Sequence, residues 1–330
     1  MKKAAFLFKS LCLLSLGGPA LAQGTPESID YLLPVPATSM AMAPWMLAAH
    51  KGYFADENIK VNFVAARGGV DVAKQIGAGN ALIGGAIGDT PIIVRANGVP
   101  VKAIALLGAG SHTLTSVRND SGIRSFKDLK GKTITVMSYS DTTYYSLLGS
   151  LAKADLTKND VSIQASGPAG TWQLFAAGKA QAMAAGPDFL NYAIDAGVQA
   201  TILPPEDGFR SMAQAVIASD NAIKTRPELL TKLVRATLRA MGDIMNDPKD
   251  AARHYVAAVP MYKDKQASVE RLFGLLSKYT YAGQAPLGKI DPRRFEEVQR
   301  LYVSEGIVPR ALPLDELFTN QFVDAAARKP

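Results

Sequence analysis

The sequence predicts an α/β protein of two lobes, each a mostly parallel sheet flanked by helices. Short apolar runs alternate with helical segments from Ile29 to about Leu203, which is the pattern of parallel α/β units. Thr113–Arg118 is followed by a complete α/β unit and then by Met212–Ala218, so the chain is predicted to leave one lobe and later return. The 330 residues suffice for one large or two medium domains. We therefore expect two lobes joined by two crossings.

The strands are predicted from short runs of apolar and β-branched residues that turn-forming segments separate. Such runs are too short for helices of ordinary length, and most are followed by a helical pattern. The predicted strands are Ile29–Leu33, Val61–Val64, Ala81–Gly84, Lys102–Leu107, Thr113–Arg118, Thr133–Met137, Val161–Gln164, Ala180–Ala185, Ala200–Leu203 and Met212–Ala218.

Helix starts are marked by first-turn prolines and by capping side chains. Proline is tolerated there because the first amides of a helix lack partners, and this predicts starts at Pro44 and at Thr90-Pro91. Asp141 and Thr171 are predicted caps of two further helices. Beyond Asn221 only helices are predicted. The predicted helices with both ends assigned are Pro44–Lys51, Asp141–Ala154, Trp172–Ala177, Phe189–Asp195, Pro227–Met245, Pro248–Val259, Ser268–Lys278 and Arg293–Ser304.

The first 22 residues have the form of a secretory signal peptide. They combine a basic start, an apolar stretch and the small-residue sequence Ala20-Leu21-Ala22, so cleavage is predicted after Ala22. The apolar stretch is well short of the ~20 residues that a membrane span needs, and we expect no transmembrane anchor. Cys12 is the one cysteine and lies inside this segment, so the mature chain is predicted to have no disulfide and no nucleophilic thiol.

Composition and charge argue for a compact protein that does not bind nucleic acid. Hydrophobic residues make up 48% of the chain and charged residues 20%, which excludes a disordered or low-complexity sequence. Loss of Lys2, Lys3 and Lys9 with the signal peptide lowers the formal net charge from +7 to +4. The remaining basic residues are scattered along the chain, which favours a solvated surface over a nucleic-acid interface.

Motifs for catalysis, metal binding and nucleotide binding are not found. The three histidines, His50, His112 and His254, are far apart in sequence and do not form a His-Glu-x-x-His motif. There is no Gly-x-Ser-x-Gly nucleophile elbow, and the segment Ser138–Thr142 is not a phosphate-binding loop. The sequence therefore predicts a binding protein without a metal or cofactor, rather than an enzyme.

Several short segments, in this order and spacing, resemble the periplasmic solute-binding proteins of the nitrate, sulfonate and taurine type. That family is in turn similar to the binding proteins for pyrimidine precursors of thiamine. The segments are His50-Lys-Gly-Tyr-Phe54, Asn58-Ile-Lys-Val61, Gly77–Gly85, Gly88-Asp-Thr-Pro91, Arg95-Ala-Asn-Gly98, Ser125–Thr133 and Phe175–Ala182.

The resemblance implies a type II clamshell that captures a small molecule and delivers it to an ABC permease in the inner membrane. Residues 23–111 and 212–330 are expected to form lobe 1, and residues 112–211 lobe 2. We expect a periplasmic monomer. In such a fold the ligand lies at the carboxyl ends of strands, where helix amino termini favour anions.

Four site residues are expected on lobe 1: Ser39 and Met40 after the first strand, and Asp89 and Thr90 after the third. Ser39 has an alternative role in satisfying nearby backbone amides. Asp89 and Thr90 border the ligand in the family, but this pair is also a good helix cap. A carboxylate disfavours an anion, so Asp89 indicates an amino group on the ligand only if it is not used as a cap.

The remaining predicted contacts lie at a crossing or on lobe 2. His112 is expected at the first crossing, where it either faces the cleft or serves as a structural hydrogen bonder. Trp172 is expected at a helix start beside the cleft, with core packing as the alternative. Asp188 stands in a turn that often reads Trp-Asp-Pro in the family but here follows Gly186-Pro187. The other three residues are Ser140, Asp141 and Thr142.

Two ligand classes remain open from the sequence. A small anion of the sulfonate, nitrate or taurine kind is the first prediction, since it follows from the resemblance. An aromatic acid or a pyrimidine is the second, because several rings are expected near the cleft and could stack on a planar ligand. These rings are Tyr139, Tyr144, Tyr145, Trp172 and Phe189. An enzyme on the same fold is a third, less favoured alternative.

Overall fold

A computed structural model of the protein describes residues 25–328. The signal peptide predicted at residues 1–22 lies outside this range. All the strands predicted from the sequence are present in the predicted order. They are β1 (Glu27–Leu33), β2 (Ile59–Ala65), β3 (Ile83–Ile87), β4 (Val101–Leu106), β5 (Leu114–Arg118), β6 (Thr133–Val136), β7 (Ser162–Ala165), β8 (Ala182–Ala185), β9 (Ala200–Ile202) and β10 (Gln214–Ser219).

The strands form two five-stranded sheets, in the orders β2-β1-β3-β10-β4 and β7-β6-β8-β5-β9. In the first sheet β1 is parallel to β2 and β3, while β10 is antiparallel to both of its neighbours. The second sheet repeats this plan, with β6 parallel to β7 and β8, and β5 antiparallel to β8 and β9. The prediction of two mostly parallel sheets is thus confirmed.

Helices cover both faces of each sheet. They are α1 (Ala43–His50), α2 (Tyr53–Asp56), α3 (Gly69–Gly77), α4 (Thr90–Arg95), α5 (Thr142–Lys153), α6 (Gly167–Ala176), α7 (Pro187–Asp195), α8 (Asp220–Thr225), α9 (Pro227–Asn246), α10 (Pro248–Ala258), α11 (Gln266–Leu276), α12 (Pro292–Ser304), α13 (Leu314–Leu317) and α14 (Gln321–Ala327). A π-helical turn, Ser277–Tyr281, extends α11. No helix within residues 25–328 is long and apolar enough to span a bilayer.

Each sheet separates two apolar cores because side chains alternate along a strand. In β10, Val216 and Ala218 pack toward α1 and α9, while Ala215 and Ile217 pack on the opposite face. The long helices of the C-terminal part complete the cores of the first sheet. We call the first sheet with its helices lobe 1 and the second sheet with its helices lobe 2. The lobe limits given above stay a prediction.

Several local expectations were wrong, since β8 and β10 begin two residues later than predicted, as β3 does, and one predicted cap is not a cap. Strand β3 begins two residues later than predicted, and its glycines allow a close approach of α3: a Cβ at Gly84 would lie 2.5 Å from Val72 Cγ1 and 2.7 Å from the carbonyl oxygen of Leu32. Helix α6 begins at Gly167, so Thr171 is not its cap. The Thr171 hydroxyl instead donates to the carbonyl of Gly167, one turn earlier in the same helix.

The C-terminal part ties the two crossings between the sheets together. Nη2 of Arg294, on α12, donates to the carbonyl of Ala109 at 2.5 Å, and Nη1 donates to the carbonyls of Arg210 and Ser211 at 2.5 and 3.1 Å. Burial lowers the pKa of Arg294 to about 10, so the guanidinium remains charged at neutral pH. Ser111 Oγ and Ser211 Oγ, 2.5 Å apart, form a second link between the crossings.

A polar network also joins α7 of lobe 2 to α11. Arg271 Nε donates to Asn191 Oδ1 at 2.7 Å, and Asn191 Nδ2 donates to Ser268 Oγ at 2.9 Å. Asp195 accepts hydrogen bonds from Ser268 and Arg271. We call these four residues the α7–α11 latch. Since α7 begins in the turn that carries Asp188, the latch connects a predicted ligand contact to the C-terminal helices.

Candidate ligand-binding site

The turns that follow the parallel strands of both sheets meet between the lobes. Asp89 lies after β3 and is fully buried. One carboxylate oxygen accepts a hydrogen bond from Tyr302 of α12, while no group of the described chain donates to Oδ1. Its neighbours across the cleft are Asp141 and Tyr145 of lobe 2. Asp89 therefore faces the opposite lobe.

Asp89 is not used as a helix cap. None of the later amides of α4 donates to its carboxylate, although its own backbone amide lies close. Burial raises the pKa of Asp89 to about 7, the Tyr302 hydrogen bond opposes this shift, and the charge of Asp141 adds to it. Asp89 is thus not a cap, but its carboxylate is bonded to Tyr302 and lies close to its own amide, so a contact between Asp89 and the ligand stays a prediction.

Asp188 and His112 form a second polar group, on the lobe 2 side. Neither Asp188 Oδ1 nor His112 Nδ1 has a partner among residues 25–328. Gly186 brings them together: a Cβ there would lie 2.6 Å from Asp188 Oδ1 and 2.8 Å from His112 Nε2. Burial raises the pKa of Asp188 to about 6, against the effect of nearby amides at the start of α7, and lowers the pKa of His112 to about 4. The imidazole is thus neutral at pH 7.

Tyrosines from the C-terminal part surround Asp188. Tyr262 and Tyr281 belong to the core of lobe 1. Burial raises the pKa of each, and the charge of Asp188 adds to this shift. Tyr192 of α7 lies between Tyr262 and Ser39, within hydrogen-bonding reach of both side chains. These contacts bring the loop after β1, the start of α7 and the C-terminal helices to one place.

The sequence did not predict Gln214, Tyr192, Tyr262, Tyr281 or Tyr302 as site residues. Gln214 begins β10, donates to the carbonyl of Ala41 at 3.0 Å, and has no donor to its own Oε1 within the described chain. Its polar side chain before a buried strand was the one available signal. The tyrosines gave none, because buried tyrosines in helices are usually core residues.

The predicted residues of the turn after β6 have mixed roles. Asp141 caps α5, since the Thr143 amide donates to its Oδ1 at 2.8 Å. Ser140 is exposed and Thr142 is buried. Asp141 is the charged residue of this turn, and its charge acts on Asp89 after β3.

Three other predicted contacts have structural surroundings. Met40 and Thr90 are buried, and Thr90 Oγ1 lies 3.3 Å from where a Cβ of Gly69 would stand. Trp172 lies in the second turn of α6 instead of at its start, and it is half-buried against the core of lobe 2. Its ring centroid is 6.0 Å from that of Tyr192. Trp172 is thus a neighbour of Tyr192, the tyrosine that lies beside Tyr262 and Ser39.

The described part of the cleft is rich in hydrogen-bond acceptors and poor in positive charge. No lysine or arginine of residues 25–328 lies close enough to lower the pKa of Asp89 or Asp188. Nor does that range contain three His, Cys, Asp or Glu side chains arranged to hold a metal ion. A surface depression of about 540 Å³ lies elsewhere, beside Glu27 and Glu57, whose carboxylates already pair with arginines.

Comparison with known families assigns the chain. The family described as NMT1/THI5 like matches residues 39–251, about two thirds of the sequence. The chain belongs to the NMT1/THI5-like family. The match includes both sheets after β1 and both aspartates, but not α11 or α12, which bear Arg271 and Arg294.

Two relatives of this NMT1/THI5-like protein differ in kind. The riboflavin-binding protein RibY of Chloroflexus aurantiacus is 25% identical over 303 residues, which cover 86% of this chain and 83% of RibY. The 4-amino-5-hydroxymethyl-2-methylpyrimidine phosphate synthase of Uromyces fabae is 36% identical over 109 residues, which cover 33% of this chain and 32% of the synthase.

Solved structures share the fold. The alkanesulfonate-binding protein SsuA of Xanthomonas axonopodis pv. citri, bound to MOPS, has a TM-score of 0.67 at 18% identity and covers 89% of this chain and 99% of its own. The periplasmic nitrate-binding protein NrtA of Synechocystis PCC 6803 has a TM-score of 0.69 at 10% identity, with coverages of 92% and 89%. The ligand-binding component of an ABC-type import system from Staphylococcus aureus has a TM-score of 0.70 at 14% identity, with coverages of 92% and 100%. The fold is therefore that of the two-lobe solute-binding components of ABC importers, as the sequence predicted.

Proposed function

We propose that this protein captures a small solute between its two lobes in the periplasm and delivers it, as a monomer, to an ABC permease in the inner membrane. The observation that carries the proposal is the presence, in both lobes, of buried side chains with unpartnered polar atoms near the turns that follow the strands. Asp89 and Gln214 contribute from lobe 1, and Asp188 from lobe 2. Such atoms are costly in a folded protein unless a ligand or an ordered water satisfies them.

Binding without chemical change is part of the same proposal. The cleft residues include no cysteine, since Cys12 lies in the predicted signal peptide. His112 faces a carboxylate but has no serine or threonine hydroxyl bonded to it within the described chain, so it lacks the nucleophile that a base would activate. Residues with these properties bind and orient a solute.

Both ligand classes predicted from the sequence have support. A small anion is supported by the names of SsuA and NrtA, and by the amino termini of α5 and α7 at the cleft. A planar ring is supported by the name of RibY and by the rings of Trp172 and Tyr192. The second class also matches the ring compound in the name of the pyrimidine phosphate synthase.

The test begins with protein purified from the periplasm without added ligand. Denaturation followed by mass spectrometry should release a small solute, and adding that solute back should raise the melting temperature and shrink the radius of gyration in small-angle X-ray scattering. A solute at ~100 times its dissociation constant stabilises the native state by ~2.7 kcal/mol. Export is checked by the mature N-terminus, expected at Gln23.

The proposal fails if no recovered or added solute changes both the melting temperature and the radius of gyration. It fails in a different way if the solute is recovered chemically altered after long incubation with the pure protein, because that result identifies an enzyme. Uptake of the solute should also stop when the gene is deleted and return when it is restored.

A further inference from the structure

The first crossing between the sheets, residues 107–113, contains the sequence Gly108-Ala109-Gly110. Two glycines around an alanine would ordinarily be interpreted as a flexible joint, because glycine has the freest backbone of all residues. The structure gives these glycines another use. They lie against the π-helical turn Ser277–Tyr281 that extends α11.

Consecutive residues of the crossing form hydrogen bonds with this turn and the residue after it. The amide of Ala109 donates to the carbonyl of Ala282 at 3.3 Å. The amide of Gly110 donates to the carbonyl of Thr280 at 2.9 Å, and the Thr280 hydroxyl donates to the carbonyl of Ser111 at 3.1 Å. The last carbonyls of a helix have no partner inside it, so the end of this turn is available to hold the crossing.

Glycine is required at both positions because the two backbones touch. A Cβ at Gly108 would lie 2.6 Å from the carbonyl carbon of Thr280, and a Cβ at Gly110 would lie 2.7 Å from the carbonyl carbon of Tyr279. Gly108 also has a φ of 123°, which residues with a side chain rarely adopt. A side chain at either position must therefore push the crossing away from the turn.

The crossing passes from lobe 1 to lobe 2 over a short distance. The amide of His112 donates to the carbonyl of Met212 at 3.1 Å, and Met212 belongs to a core of lobe 1. Strand β5 begins at Leu114, which pairs with Ala185 of β8 in lobe 2. Thr113 therefore lies between a segment that is bonded to lobe 1 and a strand that is bonded into lobe 2.

A side-chain hydrogen bond reaches Thr113 but does not fix it. The hydroxyl of Ser111 donates to the carbonyl of Thr113 at 2.8 Å, and it also lies 2.5 Å from the hydroxyl of Ser211. Because a hydroxyl rotates about its bond, this donor can pass to Ser211 when the backbone of Thr113 moves. The bond thus allows a change of direction at Thr113.

We infer that Gly108-Ala109-Gly110 is a rigid part of lobe 1, braced by the π-helical turn, and that the first crossing bends at Thr113 when the lobes open and close. This rests on the proposed function, which requires such a motion. The glycines serve close contact, and the freedom to bend lies three residues beyond the second of them. The bracing turn lies outside residues 39–251, the range of the family match.

Added backbone freedom tests the two positions against each other. Ala109→Gly and Thr113→Gly are matched variants, since each removes one side chain from the crossing and keeps its backbone groups. Spin labels on Lys158→Cys in lobe 2 and Lys249→Cys in lobe 1, both exposed positions, report the distance between the lobes by pulsed electron paramagnetic resonance. In the ligand-free mature protein, Thr113→Gly should broaden the distance distribution about twofold, while Ala109→Gly should leave it as in the wild type.

Two substitutions test the contact with the π-helical turn. Gly110→Ala should lower the melting temperature by several degrees, because the methyl group separates the two backbones. Thr280→Val should make hydrogen exchange of the Gly110 amide about tenfold faster, and Thr280→Ser should restore the wild-type rate. Gly274→Ala in α11 is the matched control: Gly274 is exposed and a Cβ there meets nothing within 4 Å, so the melting temperature should stay the same or rise.

The inference is overturned if Ala109→Gly broadens the distance distribution as much as Thr113→Gly does, or if Thr113→Gly leaves it unchanged. It is also overturned if Gly110→Ala keeps the wild-type melting temperature, since a mobile joint accommodates a methyl group. All these measurements use the ligand-free protein, so they do not depend on which solute binds. The proposed function fails by its own measurement, the search for a solute that changes both the melting temperature and the radius of gyration.

Discussion

Removing the guanidinium of the α7–α11 latch should weaken ligand binding more than it lowers stability. In Arg271→Met the stem is replaced by an apolar side chain of similar length, and the bonds to Asn191 and Asp195 are lost. Helix α7 packs on the sheet of lobe 2, while α11 packs in the core of lobe 1. We expect the two helices to separate when the cleft opens, so that these bonds form only in the closed form. The variant then shifts the equilibrium toward the open form, and the apparent affinity falls with the closed population.

The size of the effect follows from the two contacts. Asp195 and Arg271 have side chains 31% and 35% exposed, so their ion pair contributes at most about 1 kcal/mol after screening. Asn191 is fully buried, and leaving its Oδ1 without a donor costs about 1–2 kcal/mol. A total of about 2 kcal/mol corresponds to a roughly 30-fold weaker apparent affinity.

Calorimetry with the solute recovered from cells measures this loss, and small-angle X-ray scattering measures the closed fraction. Arg253→Met is the control, because Arg253 forms an exposed pair with Asp250 of the same helix. It should bind as the wild type does. The reasoning is refuted if Arg271→Met keeps its affinity within twofold while its melting temperature falls, since the latch would then persist in the open form.

Three further predictions concern the cleft. Burial raises the pKa of Asp89 from its usual 3.8 to about 7, so the native state holds this proton more tightly than the unfolded state, and Asp89 contributes a loss of stability as the pH rises from about 4 to about 7. In urea titrations of the ligand-free protein at several pH values, Asp89→Asn should remove this contribution, while Asp188 still acts in the same direction and His112 in the opposite one. Gly186→Ala places a methyl group against His112 and Asp188, so it should weaken binding of the solute about tenfold in calorimetry while the circular dichroism spectrum stays unchanged. Wild-type affinity in this variant would show that the solute does not contact His112 or Asp188. Trp172→Leu should cost much affinity for riboflavin and little for taurine, measured by calorimetry, because only a planar ligand needs the ring face; equal losses would show that Trp172 acts through the fold.

The fold was largely predictable because its determinants are local. Period-two apolar runs and first-turn prolines each depend on a few neighbouring residues, and they identified all the strands and most long helices of the described chain. The start of α6 was misplaced because Gly167, with φ of 69°, begins the helix before any capping side chain. A left-handed glycine leaves no distinct signal in a sequence that contains 28 glycines.

The candidate site was predictable only where strand–helix turns form it. Asp89 and Asp188 follow β3 and β8, so the rule that ligands lie beyond strand ends made both candidates from the sequence. Asp141 follows the same rule but is used as a cap. Tyr302 could not be assigned, because it meets Asp89 across 213 positions and no local pattern encodes that contact.

The C-terminal helices contribute to this protein in two ways, because they complete the core of lobe 1 and carry Arg294 to the connections between the sheets. A fragment ending at residue 251, where the family match ends, would keep every strand and both aspartates of the cleft. It would lose Arg294, whose guanidinium donates hydrogen bonds to the carbonyls of Ala109, Arg210 and Ser211. Nothing on α12 would then hold the two connecting segments at a fixed distance from each other. The part of the chain beyond the family match thus holds the two connections between the sheets side by side.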